Sequence, residues 1–324
     1  MSANTQQTDY IRKVALIGGS GQVGSHILTH LLGTSKHQVT VLTRLSSDAA
    51  FPTNDNLTVT KVDYDDDNAL TEALSSHEFL IITISARAPA TLHPRIVAAA
   101  AKAGVRWIMP NYFGYGIGDR KLKGRNELNN FERFIEDVDK TPGADYVALV
   151  CGFWYEFSLA MGEPWLGFRI RERSVTMYDQ GEKKISMSTW DACGRAVAGL
   201  LSLPVKADAT KDGLTISSFL VSQRDILESL HRVLGTTDED WKIRFEPVEK
   251  RLEDGKKQFK EGKMLGFAKA LYAEVFACEW GNYETGRELD NEKVALEKED
   301  LDEATKRAVE MAMGPMGDIE GRFG

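Results

Sequence analysis

The sequence predicts an α/β protein: a doubly wound parallel sheet with a smaller α+β part on its C-terminal side. Three observations carry that reading. Residues 13–24 run from an apolar stretch, Val14 to Ile17, through a glycine cluster into a helical pattern. That pattern places Val23, Ile27, Leu28, Leu31 and Leu32 on one face, and Gly33 closes it. Five or six alternations of short apolar run and amphipathic helix then extend to about residue 152, the pattern of right-handed crossovers feeding one parallel sheet. Finally, Phe79 to Ile84 is nearly continuous in apolar residues, as a strand covered on both faces requires.

Two glycine spacings overlap in the first element, Gly18-x-x-Gly21-x-x-Gly24 and Gly19-x-Gly21-x-x-Gly24. Backbone without a Cβ can turn sharply and approach a diphosphate, whose charge sits on the free amides opening the next helix. A glycine cluster alone is an ordinary turn; between a strand and a helix it reads as a dinucleotide site. Gly18, Ser20, Gly21, Gln22, Val23 and Gly24 are therefore the expected phosphate-binding residues.

Gln38 to Thr43 is the second strand, rich in β-branched residues. An NAD site usually carries an acid at its end, where the ribose 2′-hydroxyl binds. Here the chain reads Thr43-Arg44-Leu45-Ser46-Ser47, and the first acid is Asp48. A guanidinium beside hydroxyls suits a 2′-phosphate, so Thr43 and Arg44 favour NADP(H) over NAD(H); the plain alternative is a solvated arginine. Leu57 to Val62 is the third strand, and the acidic run Asp63 to Asp67 caps a helix starting near Asn68. Asp63, at the strand end, is placed to face the adenine amino group. Ser85-Ala86-Arg87 follows the fourth strand at the carboxyl edge, where such sheets bind ligands.

An alanine-rich helix, Pro94 to Lys102, leads through Gly104 to a fifth strand, Arg106 to Met109, left by Pro110-Asn111-Tyr112-Phe113-Gly114. A helix from about Asn126 to Val138 and a sixth strand, Tyr146 to Cys151, complete a nucleotide-binding domain over residues 11–152. From Phe153 the pattern changes. An aromatic cluster, Phe153 to Phe157, precedes an expected β-hairpin of Ser174–Tyr178 and Lys184–Ser188. A helix from Thr189 to Leu203, a strand from Leu214 to Phe219 and a helix from Gln223 to Leu234 follow. Residues 238–313 read mostly as charged amphipathic helix, with one strand near Lys242 to Phe245 and a capping-box-like Asp300-x-x-Glu303. Residues 153–313 thus form a second, substrate-binding part that returns strands and helices to the sheet. Residues 314–324 are a tail whose Ile319-Glu320-Gly321-Arg322 reads as a protease-cleavage site.

Composition narrows the function. The 324 residues are 42% hydrophobic and 27% charged, as in a soluble globular protein. A net charge of −8 leaves no basic excess for nucleic acid. Cys151, Cys193 and Cys278 are far apart and make no ligand spacing with the six scattered histidines, which points away from a metal and toward a reducing, cytoplasmic setting. No run approaches the length of a membrane span. The expected partner is a small molecule, the expected assembly a monomer or homodimer.

Several stretches together resemble the NmrA-like and isoflavone-reductase-like branch of the atypical short-chain dehydrogenases, particularly its fungal members. They are Gly18-x-x-Gly21-x-x-Gly24, Thr43-Arg44, Val105 to Asn111 with Phe113-Gly114, and Val150 to Phe157. The resemblance spans about residues 12–310. It implies that the glycines, Arg44 and Asn111 bind NADPH and that Ser85, Ala86 and Phe153 line its nicotinamide end. It also implies that Trp154, Tyr155 and Phe157, with Tyr112, wall a pocket for an aromatic or polyketide-like substrate. Core packing is the competing reading of those aromatics.

Two departures bear on chemistry. No tyrosine has a lysine four residues on, so the usual short-chain proton donor is missing. Laying Phe131 to Glu136 on the family's helix puts Leu128 where its lysine belongs. Tyr112 and, behind it, Lys123 are the candidate proton donors. The leading expectation is an NADPH-dependent reductase of a carbonyl, enone or related acceptor. The alternative is an NmrA-like dinucleotide sensor without catalysis.

Overall fold

In the computed structural model, residues 9–85, 87–115, 131–205 and 213–317 are described. The chain opens with β1 (Lys13–Ile17), α1 (Gln22–Gly33), β2 (Gln38–Arg44), β3 (Leu57–Val62), α2 (Asp67–Leu74), β4 (Phe79–Ile82), α3 (Leu92–Lys102) and β5 (Trp107–Met109). Next come β6 (Phe113–Gly114), α4 (Glu132–Asp139), β7 (Asp145–Tyr146), β8 (Leu149–Val150), β9 (Phe153–Trp154), α5 (Tyr155–Ala160), α6 (Glu163–Leu166), β10 (Phe168–Arg169), β11 (Ser174–Tyr178) and β12 (Ile185–Ser188). The remainder is α7 (Trp190–Leu201), β13 (Leu214–Thr215), β14 (Phe219–Val221), α8 (Gln223–Leu234), β15 (Lys242–Glu246), α9 (Val248–Lys260), α10 (Met264–Ala277) and α11 (Leu301–Met313).

A six-stranded sheet in the order β3-β2-β1-β4-β5-β7 forms the centre, and every pairing in it is parallel. The order reverses between β1 and β4, so the loops leaving those two strands diverge to opposite faces and open a crevice. Val14, Leu16, Phe79 and Ile81 face α1 and α7 on one side. Ala15, Ile17, Leu80 and Ile82 face α2 and α3 on the other. Both faces of β1 and β4 are thus buried, as their unbroken apolar runs require.

Four expectations are corrected. The sixth strand is split: Tyr146 pairs with Ile108, whereas Leu149 and Val150 pair with Phe113–Gly114 and with β13. Pro110, with no N–H to offer, follows the end of β5, and pairing resumes only at Phe113. No hairpin joins β11 and β12. β11 pairs with β10 and β15, while β12 lies between β14 and β9. The turn between them ties Asp179 outward instead, its N–H donating to Glu246 and its carboxylate accepting from Val248. The strand expected over Leu214–Phe219 breaks at Ser217 and Ser218, whose hydroxyls bond to Met187 and Glu299. Residues 238–313 are less helical than expected: 278–300 contain no α-helix, and α10 buries Tyr272, Ala273, Val275 and Phe276 rather than presenting a charged face. Asp300 does cap α11, accepting from the Asp302 and Glu303 amides at 2.8 and 3.0 Å, but Glu303 turns to Lys306 instead of closing a box. Of the helix expected from Asn126, the part before residue 131 lies outside the described residues; α4 begins at Glu132.

Candidate functional site

The crevice is built around the β1–α1 turn. Gly18 has φ +85°, a conformation that side chains disfavour, and a Cβ there would collide with the Thr83 carbonyl and come 2.6 Å from its Oγ1. A Cβ on Gly24 would run into the Gly18 carbonyl. The turn is closed by the Gly21 N–H donating to the Gly18 carbonyl at 2.9 Å. Thr83, one residue past β4, locks it from below: its N–H and its hydroxyl both donate to the Ile17 carbonyl at 2.9 Å. Gly21 is the N-cap of α1, no side chain caps the helix, and its first turn holds no acid. The first amides of α1 and its positive dipole end are left for an anion. Ser20, Gly21 and Gln22 stand exposed at the rim, while Val23 packs into the core. A Cβ-free turn against an uncapped helix fits a diphosphate.

At the outer end, Arg44 is the exposed last residue of β2 and Thr43 is half-buried beside it. Among the described residues no carboxylate forms an ion pair with Arg44. A turn, Ser47 N–H to Arg44 carbonyl at 3.0 Å, carries the chain away before Asp48. Asp63 is exposed and accepts from the Asp65 amide at 2.9 Å. Beside it Tyr64 donates to the Leu42 carbonyl at 2.7 Å. Burial pushes its phenol above the ordinary tyrosine range, and the Arg44 charge pulls it partway back.

At the inner end, Ser85 is exposed and its hydroxyl accepts from the Arg87 amide at 3.1 Å. Asn111 spans two strand exits, its Nδ2 donating to the Ile84 carbonyl at 3.0 Å and its N–H to Nε2 of His93 at 3.3 Å. Phe153 stacks on Tyr272 with centroids 3.8 Å apart and meets the edge of Tyr115. Tyr112 is only 6% exposed, and its hydroxyl donates to the Tyr115 carbonyl. Burial raises its pKa further, with Glu132 adding to the effect. Tyr155 is a core residue rather than a pocket wall: it is fully buried, bonded to Thr305 at 2.7 Å and packed edge-on against Phe219. Trp154 and Phe157 are half-buried, in contact with each other and with Trp190. Ala86 and Lys123 lie outside the described residues.

Sequence reasoning missed three contributors. Thr83 had a signal, a lone hydroxyl inside the apolar run Phe79 to Ile84. Tyr115 and the His93–Asp137 pair had none, because their partners are distant in the chain: Tyr115 donates to the Ser186 carbonyl, and His93 meets Asp137 44 positions away.

Residues 18–148 match the NAD(P)H-binding family, so the crevice belongs to an NAD(P)H-binding domain. An oxidoreductase of Aspergillus flavus, aprR, is 26% identical over 90% of this chain and 96% of its own length. The fold is that of AtPrR2, solved with NADP+ and (+)pinoresinol (TM-score 0.69, 16% identity, 92% of this chain and 98% of that one). It is equally that of an isoflavone reductase (TM-score 0.66, 16% identity, 92% and 99%). The sequence match is thus to the NAD(P)H-binding family over those residues, and the likeness to AtPrR2 and the isoflavone reductase is one of fold. No helix among the described residues is long and apolar enough to cross a membrane.

Proposed function

We propose that the protein is an NADPH-dependent reductase of a small aromatic or secondary-metabolite-like acceptor. One observation carries the cofactor choice: Arg44 ends β2, exposed and without a carboxylate partner among the described residues, where an NAD site would hold an acid. The coenzyme supplies a hydride for a carbonyl, enone or related carbon. The chain's own residues bind and orient. The amides from Ser20 to Gly24, across the glycine turn and the start of α1, hold the diphosphate, Thr43 and Arg44 the 2′-phosphate, and Asp63 the adenine amino group. Ser85, Ala86, Asn111 and Phe153 border the reacting ring, and Trp154 and Phe157 belong to the substrate side. The relative aprR is named an oxidoreductase, and AtPrR2 was solved with NADP+ and (+)pinoresinol; both support this reading.

Tyr112, its hydroxyl committed to a backbone carbonyl, serves as a buttress of the β5 exit, and Lys123 is the proton donor. Tyr112→Phe is then expected to keep turnover within about threefold, and Lys123→Met to lose about 100-fold, the usual scale of general acid catalysis. Fluorescence titration tests the cofactor. Arg44→Ala should weaken NADPH by roughly tenfold to 100-fold, the worth of one charge-assisted contact, and leave NADH unchanged. Equal binding of both coenzymes, indifferent to Arg44, overturns the reading.

A second reading has its own support. With Tyr112 tied down, no proton donor stands at the β5 exit among the described residues, as suits a dinucleotide sensor. A chain that binds NADPH yet oxidises it with no aromatic enone, ketone or imine would be that sensor.

A further inference from the structure

His93 lies on α3, outside the nucleotide-contacting loops, yet it is one of the most buried polar side chains, 1% exposed. Its Nδ1 is 2.7 Å from Oδ2 of Asp137 on α4. Its Nε2 is 3.3 Å from the Asn111 amide nitrogen at the β5 exit. Asn111 in turn reaches across to the Ile84 carbonyl at the β4 exit. Two residues before Ser85 on the same segment is Thr83, the floor of the glycine turn. A line of hydrogen bonds therefore runs from α4 through α3 to the two strand exits that border the inner end of the crevice.

We propose that His93 is a positioning residue for this crevice: with Asp137 on one ring nitrogen and the Asn111 amide on the other, it fixes Asn111 at the carboxyl edge in a way that a proton on the ring abolishes. The chemistry follows from the donors. A backbone N–H can only donate, so Nε2 carries a lone pair; Nδ1 then bears the hydrogen and gives it to the carboxylate. A protonated ring would set Nε2–H against the Asn111 N–H, two donors face to face. Asn111 would move off, and its side-chain tie to Ile84 would loosen with it. The surroundings hold the ring neutral. Burial works against the charged form, Arg133 on α4 repels it, and Asp137 alone favours it. On α3 itself, Arg95 turns to Asp65 and Asp67 at the start of α2. Phe134 covers the ring with centroids 4.5 Å apart.

That the edge serves a nucleotide rests on the proposed function; the positioning itself does not. Two readouts on the full chain separate them. The first is hydrogen exchange in residues 107–115 without nucleotide between pH 7.5 and 5.0, corrected for intrinsic rate. The second is NADP+ affinity over the same range. His93→Gln offers an acceptor and a donor but does not titrate; His93→Leu offers neither. Wild type should lose protection in 107–115 at least tenfold toward pH 5, and His93→Gln should stay flat. His93→Leu should be unprotected at every pH. NADP+ affinity should fall about tenfold further in wild type than in His93→Gln, a comparison that cancels titration of the 2′-phosphate. An acid limb kept by His93→Gln, or full protection in His93→Leu, overturns the proposal. A wild type that takes up no NADP+ overturns the cofactor reading alone, and the exchange data still decide on His93.

Discussion

Gly18 does two things that a side chain would forbid: it holds a positive φ and lies against the Thr83 carbonyl. Gly18→Ala therefore adds a collision to a conformation that already costs an L-residue roughly 1–2 kcal/mol. The expected outcome is a lower unfolding midpoint in denaturant together with at least tenfold weaker NADPH binding. Thr83→Val, of similar shape, removes the hydroxyl bond to Ile17 but leaves the carbonyl its backbone donor. It should cost about 1 kcal/mol and shift nucleotide affinity far less than Gly18→Ala. The places of the glycine turn and of Arg44 at the end of β2 were legible in the sequence because they depend on local pattern, a missing Cβ or a missing acid at a fixed distance along the chain. The His93–Asp137–Asn111 line was not, because each member is an ordinary helix or loop residue until the fold brings them together.

Among elements, those that satisfy their own hydrogen bonds followed the sequence, and those that depend on a distant partner departed from it. α1 and α8 lie where the sequence pattern puts them. β11 and β12 look like a hairpin locally, but the partners that decide their pairing, β15 and β14, come later in the chain. The last helix shows the same dependence. Thr305 on α11 is fully buried; its hydroxyl donates to the Leu301 carbonyl at 2.8 Å, and its Oγ1 meets the Tyr155 hydroxyl and Ser229 Oγ, both at 2.7 Å. Thr305→Val leaves two buried hydroxyls short of a partner. Equilibrium denaturation should show a loss of about 1–3 kcal/mol, with little effect on nucleotide binding some distance away in the chain.

For the molecule as a whole, burial depresses the pKa of His37, His77 and His93. These rings are neutral when folded and titrate near pH 6.5 when unfolded, so below that pH the unfolded chain binds more protons. Their contribution is fully present above about pH 6.5 and is lost as the pH falls through the folded-state values. Asp191, held low by the neighbouring imidazoles of His26 and His30, the latter bonded to it at 2.6 Å, adds a second loss only below the ordinary carboxylate range. Thermal midpoints should therefore stay level from about pH 8 to 7 and decline toward pH 5. A midpoint unchanged at pH 5 would count against the neutral rings.

α7 belongs to the C-terminal half, yet Trp190, Cys193 and Val197 share one core with Ile27 and Leu31 of α1, and Val294 closes it. During synthesis, the helix that opens at the glycine turn leaves the ribosome with one apolar side bare. It stays bare until α7, in the second half of the chain, has emerged. A nascent product stopped at residue 152 should accordingly recruit holdase chaperones and precipitate when released. Only the finished polypeptide should become resistant to protease.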